Sequence, residues 1–230
     1  MGEDAPKLDL STFLLSSIHD MKNSMGVMTA YLQDALSERD ASPADARAKT
    51  AQALYEAKRV TDHLIQLLAL YKIDQAFYPF DPQDHALADL AVECLGRVAD
   101  LAALKGIEVE ADCPEELYGW FDLELVAGVV VQALHNALRY ARSRVRLRVL
   151  LHGNGVRIRV EDDGQGFPDF LLVQGNSLER GISFETGSTG LGLYFAAVVA
   201  SLHKGDGHQG RIRLENGGSL GGGGFELELP

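Results

Sequence analysis

From Leu14 the apolar residues fall at Leu14, Ile18, Met21, Met25, Met28, Leu32 and Ala35, alternately four and three apart. That spacing is a heptad seam on a long helix. A second seam runs through Ala53, Ala57, Val60, Leu64, Leu67 and Tyr71. Ser37 to Asp45 breaks the pattern with charged and small residues. Within it, Ser42-Pro43-Ala44-Asp45 reads as a helix start: a Ser cap, Pro at the first helical position and a carboxylate three after the cap. Two such helices joined by a short loop form an antiparallel hairpin. One hairpin buries its seam poorly. Pairing two hairpins as a four-helix bundle solves this, so the pattern predicts a homodimer.

Tyr78-Pro79-Phe80-Asp81-Pro82 ends the hairpin, because two prolines in four residues block a helix and favour extended chain. The expected domains are residues 1–76 and 77–230. The second alternates helix and strand. Gln83 to Leu104 is expected to be helical, Ile107 to Ala111 and Gly119 to Phe121 to be strands, and Leu123 to Tyr140 to be an apolar helix. Arg144 to Leu151 and Val156 to Asp162 alternate as strands around Asn154-Gly155, a strong hairpin turn. A helix over Thr189 to His203 and strands over Arg211 to Glu215 and Phe225 to Leu229 complete the pattern. Gly217 to Gly224 reads as a turn without chemistry. The fold class is α+β: a helical hairpin, then a sandwich of one mixed, mostly antiparallel sheet with helices on one face.

The formal net charge of -12 argues against a nucleic-acid surface, which needs a basic face. It leaves room for a nucleotide, since backbone amides and a cation can hold phosphates on an acidic protein. No window approaches the ~20 apolar residues of a membrane span. The start MGEDAPKLDL lacks a basic, apolar secretory character, so the chain is expected in the cytoplasm. Cys94 and Cys113 have no metal spacing and read as reduced thiols.

Four stretches carry candidate chemistry. In His19-Asp20-Met21-Lys22-Asn23 an ionisable nucleophile sits beside a carboxylate, with a carboxamide one turn on. Alone it reads better as a solvated polar patch. Asn136 lies late in the 123–140 helix, and a carboxamide oxygen suits Mg²⁺. Arg139 could meet a phosphate and Tyr140 lie against a base, or the three could form a polar helix end. Asp162 precedes a turn in which Gly164 and Gly166 allow close approach of a flat ligand. The carboxylate could accept from an exocyclic amine, or the stretch could be an ordinary Asp-Gly loop. Thr189-Gly190-Leu191-Gly192 opens a helix whose exposed amides suit phosphates, although glycines there also serve packing.

Taken in order, these elements resemble the histidine protein kinases of two-component systems. HDMKN is similar to the family's phosphoacceptor box, HNALRYA to its Asn-containing box, DDGQGF to its first glycine box and TGLGL to its second. The resemblance spans about Ser11 to Pro230. It implies a GHKL-type ATP-binding domain and ATP with Mg²⁺ as cofactors. His19 would then be phosphorylated, Asp20 would act as its base, and Asn23 would position water for dephosphorylation of a partner. Asn136 would hold Mg²⁺, Asp162 would read the adenine amine, and Gly190 and Gly192 would shape the phosphate end. The loop from Pro168 to Ser188 would be a mobile lid, with Gly175, Gly181 and Gly187 supplying flexibility and Phe184 as its aromatic residue. The implied partners are a second copy of the chain and a response regulator receiver domain.

Two departures stand out: Ser24 follows Asn23 where a proline is common, and Gln132 stands where many members carry a second asparagine. With about ten residues before the first helix, input would come from a separate sensor protein or from a longer chain. Two rival readings remain: a histidine phosphotransferase with a non-catalytic nucleotide-like domain, and a binding module that uses ATP as a conformational switch.

Overall fold

The structure, a computed structural model, describes residues 10–37, 43–153, 155–175, 190–205 and 207–230. It divides into two compact units, the chain leaving the first between Tyr78 and Pro79.

The first unit holds α1 (Leu10–Ser37) and α2 (Pro43–Asp74), packed along each other. Pro43 opens α2, where its fixed φ suits the first turn and its missing N–H costs no bond. Asp45 in the first turn and Lys72 in the last complement the helix dipole. Ser42 lies outside the described residues. Beyond the helix, Ala76 turns left-handed at φ 55, and the Phe77 amide reaches back to the Lys72 carbonyl at 2.7 Å. That bond closes the helix end in the manner glycine usually allows. The residues buried within one hairpin include Ser24, Ala53, Glu56, Leu67 and Leu70. Seam residues Ile18, Met25, Leu32, Leu64 and Tyr71 are instead 41–55% exposed, so one hairpin leaves much of its seam uncovered. No described helix is long and apolar enough to cross a membrane.

The second unit begins with a difference from the sequence expectation. Gln83 to Ala86 is not the start of a helix but a strand, β1 (Gln83–Ala86). The extended chain set by Pro79 and Pro82 continues because β3 (Tyr118–Phe121) offers an antiparallel neighbour, with Gln83 opposite Phe121. Only then does α3 (Leu87–Lys105) start, and it ends at the left-handed Gly106.

β2 (Glu108–Asp112), α4 (Leu123–Tyr140), β4 (Arg144–His152) and β5 (Gly155–Asp162) follow as expected, with shifts of a residue at their ends. α5 (Asp169–Gly175) interrupts what was expected to be loop throughout 168–188, and the rest of that loop, Gly181, Phe184 and Gly187 included, lies outside the described residues. α6 (Gly190–Leu202), the short β6 (Lys204–Gly205) and β7 (His208–Gln209), β8 (Arg211–Asn216) and β9 (Gly223–Leu229) complete the order. The two short strands pair with each other and carry no sequence signal.

The main sheet runs β2-β4-β5-β9-β8. Only β2–β4 is parallel, so the sheet is mixed and mostly antiparallel. Period-two alternation splits its faces. Val145, Leu147, Val149, Val156, Ile158, Val160, Leu227 and Leu229 are buried on the helix-covered side. The other side is a lattice of opposite charges. Arg159 meets Glu161, Glu215 and Glu226, while Arg157 meets Glu226 and Glu228. Cys94 and Cys113 are free, and burial raises the Cys94 thiol to about 12, which keeps it protonated.

His203, just past α6, ties three segments together. Its Nδ1 bonds the Val199 carbonyl at 2.8 Å, and its Nε2 accepts the Asp122 amide at 3.0 Å. Asp122 in turn caps α4 through the Leu125 amide and accepts the Asp81 amide at 3.2 Å. The Phe80 ring stands edge-on to the imidazole. Burial pushes the His203 pKa below its ordinary 6.5, against the opposing pull of Val199 and Asp122.

The native imidazole is therefore neutral where an unfolded one takes up a proton. Stability should fall as pH drops through 6.5 and level off below the depressed native value. Urea unfolding between pH 8 and pH 5 checks this. His203→Gln should cost about 1–3 kcal/mol at pH 8 and flatten the acid slope, and parallel slopes would refute the assignment.

Candidate nucleotide site

α4 presents one polar-edged stripe at helical spacing: Gln132, Asn136 and Tyr140, with Val129, Ala133 and Ala137 beside them. Opposite stand Val160 and Asp162 of β5, Phe167, Phe225 of β9, and Gly192, Leu193 and Ala196 of α6. Together they line a cleft with an empty volume of ≈ 480 Å³, part of it open to solvent. The wall is apolar with a few convergent polar groups, the character of a small-ligand site.

Asp162 is 7% exposed and lines the cleft. Its Oδ1 accepts the Gly164 amide at 2.7 Å and the Gly223 amide at 3.3 Å. Burial raises its pKa, the two amides oppose that, and the neighbouring Asp163 charge adds to the rise. The amides fix the carboxylate's orientation, which an acceptor for one particular donor requires.

The Gly217–Gly224 stretch is thus more than the turn without chemistry expected from sequence. Its Gly223 amide holds Asp162, and its Gly222 amide bonds the Asp162 carbonyl at 3.1 Å. A Cβ at Gly222 would lie 2.5 Å from Asp162 oxygens, so only glycine fits there.

Gly164 is equally constrained. A Cβ there would stand 2.3 Å from the Tyr140 carbonyl oxygen, where the turn crosses the end of α4. Asp163 staples the same crossing. Its carboxylate accepts the Ser143 hydroxyl at 2.6 Å and the amides of Arg142 and Ser143 at 2.8 and 3.0 Å. The slight burial penalty is outweighed by these bonds from Ser143, Arg142 and their neighbours, and the carboxyl stays far below its usual range. Gly192 brings α6 against α4, since a Cβ would meet Gln132 Nε2 at 2.9 Å.

The site residues expected from sequence divide. Asn136, Tyr140, Asp162 and Gly192 line one cleft, with Gly164 and Gly166 in the turn that carries Asp162. Arg139 is exposed and lies with its guanidinium 5.5 Å over the Tyr140 ring, outside the lining. Gly190 opens α6, and Leu191 is buried but outside the lining. Thr189 lies outside the described residues. His19, Asp20 and Asn23 sit on α1, with Asn23 exposed one turn after His19. The side chains of His19 and Asp20 lie outside the described set.

Sequence reasoning missed Asp163, Asn216, Ser219 and Gly223. They act through pairings 20 to 61 residues apart in sequence, which local patterns do not reveal. Among the described residues no group of three His, Cys, Asp or Glu could hold a metal. The donors facing the cleft from α4 are the carboxamides of Gln132 and Asn136. They fit a hard cation that keeps most of its waters and shares phosphate oxygens.

Residues 122–230 match the family model described as histidine kinase-, DNA gyrase B- and HSP90-like ATPase. Over 228 residues the chain is 24% identical to the sensor histidine kinase RppB of Synechocystis sp., covering 95% of this chain and 48% of RppB. It is 33% identical over 117 residues to the sensor protein RstB of Escherichia coli, covering 49% of this chain and 26% of RstB. The chain thus spans about half or less of these relatives. The solved histidine kinase AdeS of Acinetobacter baumannii shares the fold at a TM-score of 0.59 and 15% identity, covering 92% of this chain and 96% of that one.

Proposed function

We propose that this chain, whose residues 122–230 match the histidine kinase-, DNA gyrase B- and HSP90-like ATPase model and which is similar to proteins named as sensor kinases, is the core of a two-component kinase that phosphorylates its own His19 from ATP. The observation that carries this is the cleft in which the α4 carboxamides face the oriented Asp162 carboxylate. Residues 1–76 form the phosphoacceptor and dimerisation hairpin, and residues 77–230 the catalytic domain. The half-exposed seam supports pairing of two hairpins. The phosphoryl group then passes from His19 to an aspartate of a response regulator in the cytoplasm.

The chemistry asks little covalent work of the cleft and much positioning. Asp162 accepts the exocyclic amine of adenine, which sets the base, while Phe167, Val160 and Phe225 supply apolar wall. Tyr140, steadied by Arg139 stacked on its ring, borders the base. Asn136 would hold Mg²⁺, with Gln132 one turn before it. The ion neutralises phosphate charge when bound. The amides at the start of α6, at Gly190 to Gly192, face the phosphates with the positive end of the helix dipole. A neutral His19 nitrogen attacks the γ-phosphorus as the bond to the ADP oxygen breaks, and Asp20 holds the ring tautomer and takes its proton.

Incorporation of γ-labelled phosphate at an acid-labile site tests the reading, and a chain that never becomes labelled would overturn it. Asn23 is exposed one turn from His19, and its carboxamide can orient water but cannot attack phosphorus. Asn23→Ala should leave autophosphorylation within about twofold and slow regulator dephosphorylation by about tenfold or more. Equal loss of both would show that the two roles are not divided.

A further inference from the structure

Asn216, the last residue of β8, pairs its carboxamide with the backbone of Phe167, 49 positions earlier. Oδ1 accepts the Phe167 amide at 2.7 Å, and Nδ2 donates to the Phe167 carbonyl at 2.8 Å. The side chain thereby offers what a neighbouring strand would offer a β-residue. Gly166, left-handed at φ 81, makes room for it, since a Cβ there would stand 2.7 Å from Asn216 Oδ1.

The connector after Asn216 holds the other end of the same turn. The Ser219 amide and hydroxyl bond Glu161 at 2.9 and 2.8 Å, and Gly222 and Gly223 bond Asp162. Glu161 is 1% exposed, and burial raises its carboxyl while the Ser219 bonds and Arg159 bring it below the ordinary value. The ionised Glu161 is therefore a firm anchor for the connector. Residues 161–167 are thus braced at both ends by residues 216–223. Within that span sit the Asp162 carboxylate and the Phe167 ring, which both line the cleft.

We propose that Asn216 is a positioning residue for the nucleotide base: by pinning Phe167 it presents the Phe167 ring and the Asp162 carboxylate in one preset geometry that selects adenine nucleotides. This deepens the nucleotide reading of the cleft and rests on it. Asn216 touches no ligand itself, so its effect falls on binding and base selection rather than on the transfer step. The bonds are exposed to water, which tempers their worth.

The full chain carrying Asn216→Ala or Asn216→Asp is titrated calorimetrically with ATP and with GTP in the presence of Mg²⁺. Asn216→Ala should bind ATP about tenfold more weakly, the net worth of a weakened hydrogen-bond pair. It should lose much of its preference for ATP over GTP, yet keep its autophosphorylation rate at saturating ATP within about twofold. Asn216→Asp keeps the acceptor for the Phe167 amide and loses the donor, so it should recover part of the affinity. Faster amide exchange at Phe167 in Asn216→Ala, with wild-type affinity and base preference, would assign Asn216 a purely structural role and overturn the proposal. A wild-type chain that binds no ATP would sink the nucleotide reading itself. A wild type that binds, alongside an Asn216→Ala that binds equally well, would overturn the positioning role alone.

Discussion

His19→Gln should lower γ-phosphate incorporation to background, a loss of about a thousandfold or more, because glutamine offers no nucleophilic nitrogen. ATP affinity should stay within about twofold of wild type, since the cleft that would bind it is built from residues of the second unit. Asn136→Ala supplies the complementary loss. It removes a carboxamide from the cleft wall and should cut phosphorylation by about 10²–10³, the usual effect of deleting one preorganised polar group. His19 should then remain available to a phosphoryl group returned from a phosphorylated regulator. Radiolabel that survives in His19→Gln at an acid-labile position would move the acceptor elsewhere and end the assignment. Label lost in His19→Gln together with ATP binding would mean that the variant had failed to fold.

Gly164→Ala should weaken nucleotide binding by more than an order of magnitude (about thirtyfold or more) while adding a single methyl group. Its Cβ would sit 2.3 Å from the Tyr140 carbonyl oxygen and 2.8 Å from Asp162 Oδ1. Neither the helix carbonyl nor the braced carboxylate yields cheaply, and overpacking of this kind costs about 1–3 kcal/mol or more. The turn must move off α4, and Asp162 moves with it. ATP affinity should drop by about thirtyfold or more, and the second unit should melt about 5 °C lower. Gly221→Ala is the control. Gly221 has a left-handed backbone, φ 85, which Gly164 lacks, but nothing lies within 4 Å of its would-be Cβ. It should pay only the backbone strain of about 1–2 kcal/mol and keep its ATP affinity. If both variants bound ATP as wild type does, the crossing of turn and helix would not control the site.

Long periodic elements were legible because their signal is local. α4 spans Leu123–Tyr140 as its apolar run and cap imply, and Asp122 supplies the cap. β4 and β5 follow the alternation around Asn154-Gly155. Gln83 to Ala86 was misread because what makes it a strand is β3, more than thirty residues away. Side-chain choice there is neutral, and the tertiary partner decides. Asp162 and Asn136, flagged by their glycine and helix contexts, fall together in one cleft. Asn216 did not, because an asparagine before two glycines is ordinary turn chemistry unless the backbone it reaches is known.

The order of the sheet also constrains how the molecule is made. β9 is the last strand synthesised among those described, yet it lies between β5 and β8. Until residues 223–229 have left the ribosome, β5 carries an open edge and β8 has no neighbour in the sheet. The Asp162 carboxylate likewise lacks its Gly223 amide until then. Nascent chains that stall before this point would leave the backbone edge of β5 unpaired, an aggregation-prone template. The second unit can therefore complete its sheet only after translation of β9, rather than strand by strand.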